Sequence, residues 1–293
     1  MGSSAWGRPA ESPRKPRILT SFVPLYCFAV NVAGEQADVE NLLPSGVGPH
    51  DYQFTRRDLE KISGADVIII NGLGLENWLD RALSSAASGS NRIAVAAANL
   101  DSLLLRPNSS IGEARRFGTV HDARNINPHA WLDPQIACHY VTNILRALQA
   151  TDPNHSAAYQ NHAEVYLNRL RNLDRELESA LAPIRNRPLL SYHNSFPYFV
   201  RRYGLRLAGV IETIPDVDPA PRHLASILQA ARSVGVKALF TEPQFDSRLV
   251  RQIAADLSIP VGQLDPLETG ELTPTVYEAG MRRNARELQR LLQ

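Results

Sequence analysis

Hydrophobic positions in the first half of the chain switch between two periods. Residues 17–23 (RILTSFV), 66–71 (DVIIIN) and 92–97 (RIAVAA) are short apolar runs that read as strands. Residues 25–34 (LYCFAVNVAG) carry apolar side chains at helical spacing and stop at a glycine. Residues 56–65 (RRDLEKISGA) read as a second helix with Thr55 as its N-cap. A further strand, 37–43 (ADVENLL), leads into the loop PSGVGPHDYQFT. Short strands alternating with helices imply a parallel sheet.

The middle of the chain has a single period. From Pro153 to Ile184 the apolar positions are Tyr159, Ala163, Tyr166, Leu170, Leu173, Leu177 and Leu181, in steps of three and four. That spacing predicts one amphipathic helix, roughly 45 Å long at the usual rise per residue. Pro153 suits its start, and Pro183 and Pro188 its end. Beyond it the alternation resumes. Strands are expected at 188–193, 206–211, 236–241 and 260–264, and helices at 219–235, 246–258 and 273–293. The pattern predicts an α/β fold of two lobes, each a mostly parallel sheet flanked by helices, at 17–150 and 187–293. The long connecting helix, 151–186, joins them.

Composition narrows the function. Of the 293 residues, 44% are hydrophobic and 21% charged, an ordinary globular balance. The formal net charge of +1 gives no electrostatic case for binding nucleic acid. No apolar run approaches the length of a membrane span. Residues 1–16 are small, polar and proline-rich, with no apolar core of a signal peptide, and read as a disordered leader or a cloning remnant. Cys27 and Cys138 allow one disulfide at most and are expected to be free thiols. PLYC does not resemble a lipobox, so Cys27 is not expected to carry a lipid.

Chemistry concentrates in histidines. His155 and His162 fall off the apolar stripe of the long helix and are expected at its solvated surface. His139 and His223 sit on or at the start of helices, and His121 in a polar loop. His50 (GVGPHDY), His129 (INPHAWLDP) and His193 (LLSYH) stand where strands end or loops begin, the edge at which α/β sheets place ligands. The prolines before His50 and His129 restrict their loops. Asp265 follows a strand in LDPLE, and Glu242 does so in FTEPQF as its substitute. Three neutral imidazoles and one carboxylate would make a four-coordinate site suited to Zn2+. Singly, each such histidine is more often a capping or hydrogen-bonding residue than a ligand, and the spacings of 79, 64 and 72 residues form no local motif.

The segments TSFVPLYCFAVNVAG, LLPSGVGPHDYQFTRRDLEKISGADVIIINGLGLENWLD, NPHAWLDP, SYHNSFPYFVRRYGL and LDPLE occur in that order. Together they resemble the zinc/manganese solute-binding proteins of ABC importers, over most of the chain from about residue 18. The resemblance implies two lobes joined by a rigid helix, a metal held between them, and a membrane permease as partner. It also implies a periplasmic or extracytoplasmic location, although the chain shows no export signal, and a monomer. Carried over residue by residue, the ligands are His50, His129, His193 and Asp265. Histidine at 193, where manganese-type relatives hold a carboxylate, favours Zn2+ over Mn2+. The chain departs from the zinc type in having only His121 in 101–127, where many members carry a His-rich loop, and from many relatives in having Gly48 before Pro49. Asp133 is expected either to orient His129 or to cap the next helix. Asp51 and Asn194, beside two ligands, are expected to support them.

Other classes compete. A zinc hydrolase would need an open coordination position and a base, for which Glu212 or Glu242 would serve. Ser191 and Ser195 lack the G-x-S-x-G context of a serine hydrolase. NGLGLEN contains G-x-G after a strand, but Asn77 stands at the third glycine position of a dinucleotide fingerprint. Adhesion would be a second role added to metal binding.

Overall fold

The computed structural model describes residues 14–50, 52–79, 92–100, 126–212, 219–243 and 248–293. Strands β1 (Arg17–Thr20), β2 (Asp38–Asn41), β3 (Val67–Ile70) and β4 (Arg92–Val95) form one parallel sheet in the order β2-β1-β3-β4. Strands β5 (Pro188–His193), β6 (Arg206–Glu212), β7 (Leu239–Thr241) and β8 (Val261–Gln263) form a second parallel sheet, β6-β5-β7-β8. In each, the order reverses between the first and third strands of the lobe, the position at which such sheets open a crevice at their C-terminal edge.

The helices are α1 (Val23–Ala33), α2 (Arg56–Gly64), α3 (Pro134–Thr151), α4 (Ser156–Leu181), α5 (Pro197–Tyr203), α6 (Pro221–Val234), α7 (Arg248–Leu257) and α8 (Val276–Leu292). Helix α4 is the long helix expected from the spacing, extended at each end by a short 3-10 turn, Pro153–His155 and Ala182–Ile184. All seven stripe residues are buried on it, joined by Asp174, whose carboxylate accepts two hydrogen bonds from Arg202. At 26 residues α4 spans about 39 Å. Several boundaries differ from the sequence reading. Helix α1 begins at Val23, because Pro24 pre-sets its first turn and Phe22 is its N-cap, so β1 stops at Thr20. The strands expected from 236 and to 97 are shorter, at Leu239–Thr241 and Arg92–Val95.

The largest buried apolar cluster lies between the lobes. It takes Phe22 and Phe28 from the α1 region, Tyr140 from α3, Tyr166 and Leu170 from α4, Tyr198 from α5 and Tyr277 and Met281 from α8. Smaller clusters cover the outer sides, one with Ile62 of α2 against Ile68 of β3, the other with Ile227 of α6 and Ile253 of α7 against Leu190 and Leu239. Helices α1, α4 and α8 pack mutually, so both sheets stand on one helical frame. No helix among the described residues is long and apolar enough to cross a membrane.

Candidate metal centre

The turn that carries His129 is fixed from four directions. The side chain of Asn127 accepts from the main-chain N–H of His129 at 3.0 Å and lies 3.0 Å from its Nδ1, while its own amide N–H donates to the Asn194 carbonyl at 2.7 Å. Tyr198 donates to the Asn127 carbonyl at 2.8 Å, and Asn71 donates to the Pro128 carbonyl at 3.1 Å. Trp131, fully buried against Phe22, donates from Nε1 to the Pro266 carbonyl at 2.8 Å. Tyr277 donates to the Trp131 carbonyl at 2.7 Å. Asp133 caps α3 by accepting from Gln135 N at 2.9 Å. Of the two roles expected for Asp133, the structure places it in the second, and Asn127 is the group that holds the imidazole.

His50 hangs on a loop after β2, anchored by Trp78 Nε1 donating to the Pro49 carbonyl at 2.7 Å. His193 is the last residue of β5. One nitrogen from each of His50, His129 and His193 lies within 4.8 Å of the others. His129 and His193 are buried, whereas the His50 side chain keeps 20% of its surface and forms the open edge of the site. Asp51 lies outside the described residues, as does His121. Asn194 contributes its carbonyl to Asn127.

The carboxylate beside the imidazoles is that of Glu268. Its Oε1 is 3.2 Å from His50 Nε2 and 3.0 Å from His129 Nε2. Asp265, expected in that place, turns away. Its Oδ1 accepts from Leu267 N at 2.7 Å and its Oδ2 faces Arg283 at 3.6 Å, while its own N–H donates to Asn284. Asp265 thus closes a turn that holds Leu267 at φ 65, and that turn sends the next residue, Glu268, inward. Both carboxylates lie in LDPLE, and the sequence alone does not choose between them. An aspartate two residues before a left-handed residue acts as a turn former, which leaves the longer acid beside the imidazoles.

Glu242 does not join the imidazole nitrogens at the front. Its Oε1 lies 3.0 Å from Nδ1 of His193 and accepts from Ser195 Oγ at 2.7 Å, behind the ring. Residue 242 follows β7 and residue 193 ends β5, adjacent strands at the point where the order reverses.

The charge pattern argues for a cation at the centre. The Asn127 oxygen faces two donors, so Nδ1 of His129 carries the proton and Nε2 presents a lone pair. That lone pair points at Glu268 Oε1 and His50 Nε2, which stands 3.2 Å away. Burial holds His129 neutral, pushing its pKa down to about 3, so a proton is poorly held there. Burial would raise Glu268, but His50, 3.2 Å away, outweighs it, and the carboxylate lies well below its ordinary range. A divalent cation at the centre would take the lone pair of His129 Nε2 and the charge of Glu268 together. The spacings of 3.0, 3.2 and 3.2 Å are close to the donor–donor edges of about 3.3 Å in a tetrahedral zinc site.

His155, His162 and His223 make contacts within the fold. His155 pairs with Asp152 at 2.6 Å, and His223 Nε2 lies 3.0 Å from the Val210 carbonyl. His162 is not simply a solvated face residue. Its ring packs on Gly34, leaving no room for a Cβ there, and lies 3.2 Å from the Val32 carbonyl. Cys27 and Cys138 are free, and burial pushes the Cys27 thiol up to about 12. The G-x-G turn does not offer its amides to a phosphate. The buried Glu76 carboxylate accepts from Asn71 N at 2.7 Å, Gly72 N at 3.1 Å and Ser21 Oγ at 2.7 Å, occupying the donors a nucleotide would need.

Comparison with known proteins identifies the family. The profile of the family described as "ZnuA: Zinc-uptake complex component A periplasmic" matches residues 18–291. The "High-affinity zinc uptake system protein ZnuA" of Bacillus subtilis is 26% identical over 266 residues, 91% of this chain and 83% of that protein. The "Zinc-binding protein AdcA" of Streptococcus pyogenes is 26% identical over 293 residues, and the chain spans 56% of its length and matches over 94% of its own. Among solved structures, that of FpvC from Pseudomonas aeruginosa in complex with Mn2+ superposes with a TM-score of 0.81 at 25% identity, covering 96% of this chain and 99% of that one.

Proposed function

We propose that this chain, which belongs to the family of the periplasmic component A of zinc-uptake complexes, captures Zn2+ with His50, His129, His193 and Glu268 and delivers it to an ABC-type membrane permease. The family comprises metal-binding solute-binding proteins of ABC importers, which are transport proteins and not enzymes. The observation that carries the reading is the convergence of nitrogens from His50, His129 and His193 within 4.8 Å of one another, with Glu268 Oε1 3.0 Å from His129 Nε2 in a buried setting. Three neutral imidazoles with one carboxylate favour Zn2+, a borderline-soft ion, over the harder Mn2+. Four protein ligands close the coordination sphere, which suits capture and leaves no position for a hydrolytic water.

His50 is the least buried of the ligands and is the natural first contact for an entering ion. Binding then draws the first-lobe imidazoles and the second-lobe His193 and Glu268 onto one centre. It biases the conformation that a permease recognises. The reading also places the protein outside the cytoplasm, working as a monomer.

Elemental analysis of protein purified without chelator, with a zinc titration of the stripped protein and of His129→Ala, tests this. One zinc per chain, lost in the variant, is expected. Manganese at one per chain, with zinc bound no more tightly, would reassign the metal. Undiminished zinc affinity in His129→Ala would overturn the site.

A further inference from the structure

Two of the imidazoles are held from behind by different chemistry. His129 Nδ1 donates to a neutral amide oxygen, that of Asn127, at 3.0 Å. His193 Nδ1 donates to a carboxylate, Glu242 Oε1, also at 3.0 Å. Ser195 Oγ donates to the same oxygen at 2.7 Å and lies 2.8 Å from Nδ1. All three members of this second group are buried, with His193 at 5%, Ser195 at 0% and Glu242 at 1% exposure. Low dielectric strengthens the polarisation that a carboxylate imposes on an imidazole. An amide fixes a tautomer and does little more. A carboxylate also shifts electron density toward Nε2 and makes that nitrogen a stronger donor.

The pairing is built by the sheet rather than by a loop. Strands β5 and β7 are neighbours, with Leu190 against Leu239 and Ser191 against Phe240. The residues that leave their C-terminal ends are therefore set side by side. We propose that Glu242 is a positioning residue of the metal site, acting through Nδ1 of His193 with Ser195 as its steadying donor, and that it makes His193 the strongest nitrogen donor of the set. The proposal rests on the reading of His193 as a ligand. It assigns to Glu242 a place behind a ligand instead of on the metal.

Glu242→Gln keeps the shape and removes the charge. Zinc affinity, measured by competition with a chromophoric chelator, is expected to fall about 10- to 100-fold, the usual effect of altering such a partner. The visible spectrum of the Co2+-loaded variant should keep its four-coordinate form. In proton NMR of the zinc-loaded protein, the His193 Nδ1–H resonance should move upfield relative to the unmutated chain. Wild-type affinity in Glu242→Gln, or lost affinity with an unmoved resonance, would overturn the proposal. If His193→Ala binds no zinc in the same series, the functional reading survives that failure. Full zinc affinity in His193→Ala would instead overturn the functional reading. Should Glu242→Gln fold poorly, the unmutated zinc-loaded protein decides. Its His193 Nδ1–H should lie downfield of that of His129, and coincident resonances would contradict the carboxylate's role.

Discussion

Trp131 Nε1 donates to the Pro266 carbonyl at 2.8 Å, and this bond ties the turn of His129 to the loop of Glu268. The two residues come from different lobes, 135 positions apart in the chain. Replacing Trp131 with Phe keeps most of the ring packing against Phe22 but leaves the Pro266 carbonyl without this donor. Such a loss costs about 1–3 kcal/mol. Denaturant unfolding should show that fall, and zinc affinity should fall with it as Glu268 loses its register. Unchanged affinity would mean that the loop is held by other contacts.

The assignment of the carboxylate separates two residues three positions apart. Glu268→Ala is expected to weaken zinc binding beyond the ~10- to 100-fold typical of outer partners. Asp265→Asn retains an oxygen for Leu267 N and should leave affinity near that of the unmutated chain. Titration calorimetry of both variants is sufficient. The reverse ranking would restore Asp265 as the ligand.

Gly280 leaves room for the side chain of the left-handed Leu267. A Cβ at position 280 would stand 2.1 Å from Leu267 Cδ2. Gly280→Ala on α8 therefore overpacks the base of the Glu268 loop, at an expected cost of about 1–3 kcal/mol in unfolding free energy. A neutral or stabilising effect would show that the loop shifts freely.

Acid should release the metal, and His193 sets where. Burial lowers its pKa, but the hydrogen bond and charge of Glu242, with Glu268 and Glu212, outweigh that and raise it above the ordinary value. Zinc takes the neutral ring, so protons compete at His193 from a higher pH than the ordinary value of about 6.5 would give. His129, already held neutral, adds no competition in that range. The protonated His193–Glu242 pair contributes stability to the metal-free fold that is full below the ordinary imidazole value. That contribution is lost as pH rises through the raised one. Zinc binding near neutral pH is thus expected to release protons and to weaken on acidification. Calorimetry in buffers of different ionisation enthalpy measures the release, and none at neutral pH would contradict the raised His193.

Much of this was legible in the chain. The long helix was visible because its seven apolar positions keep one period, and the same seven are buried. His50, His129 and His193 were visible because proline-restricted loops and a strand end single them out. The choice between Asp265 and Glu268 was not. It depends on a left-handed Leu267 and on the Gly280 surface that accepts it, both set by packing against α8. The role of Asn127 was hidden for a related reason. Its side chain reaches His129 locally, but its purpose is clear only when Asn194 fixes the amide orientation from the other lobe. Glu242 was recognised as an acid at a strand end. That it stands behind His193 follows from β5 and β7 being neighbours, which sequence alone does not order.

The most direct test is anomalous diffraction at the zinc edge from crystals of the zinc-loaded protein. A single peak bonded to His50, His129, His193 and Glu268, at about 2.0–2.2 Å from each donor, is the predicted result. A peak on Asp265 or Glu242, or zinc held anywhere else with these imidazoles unligated, would contradict it.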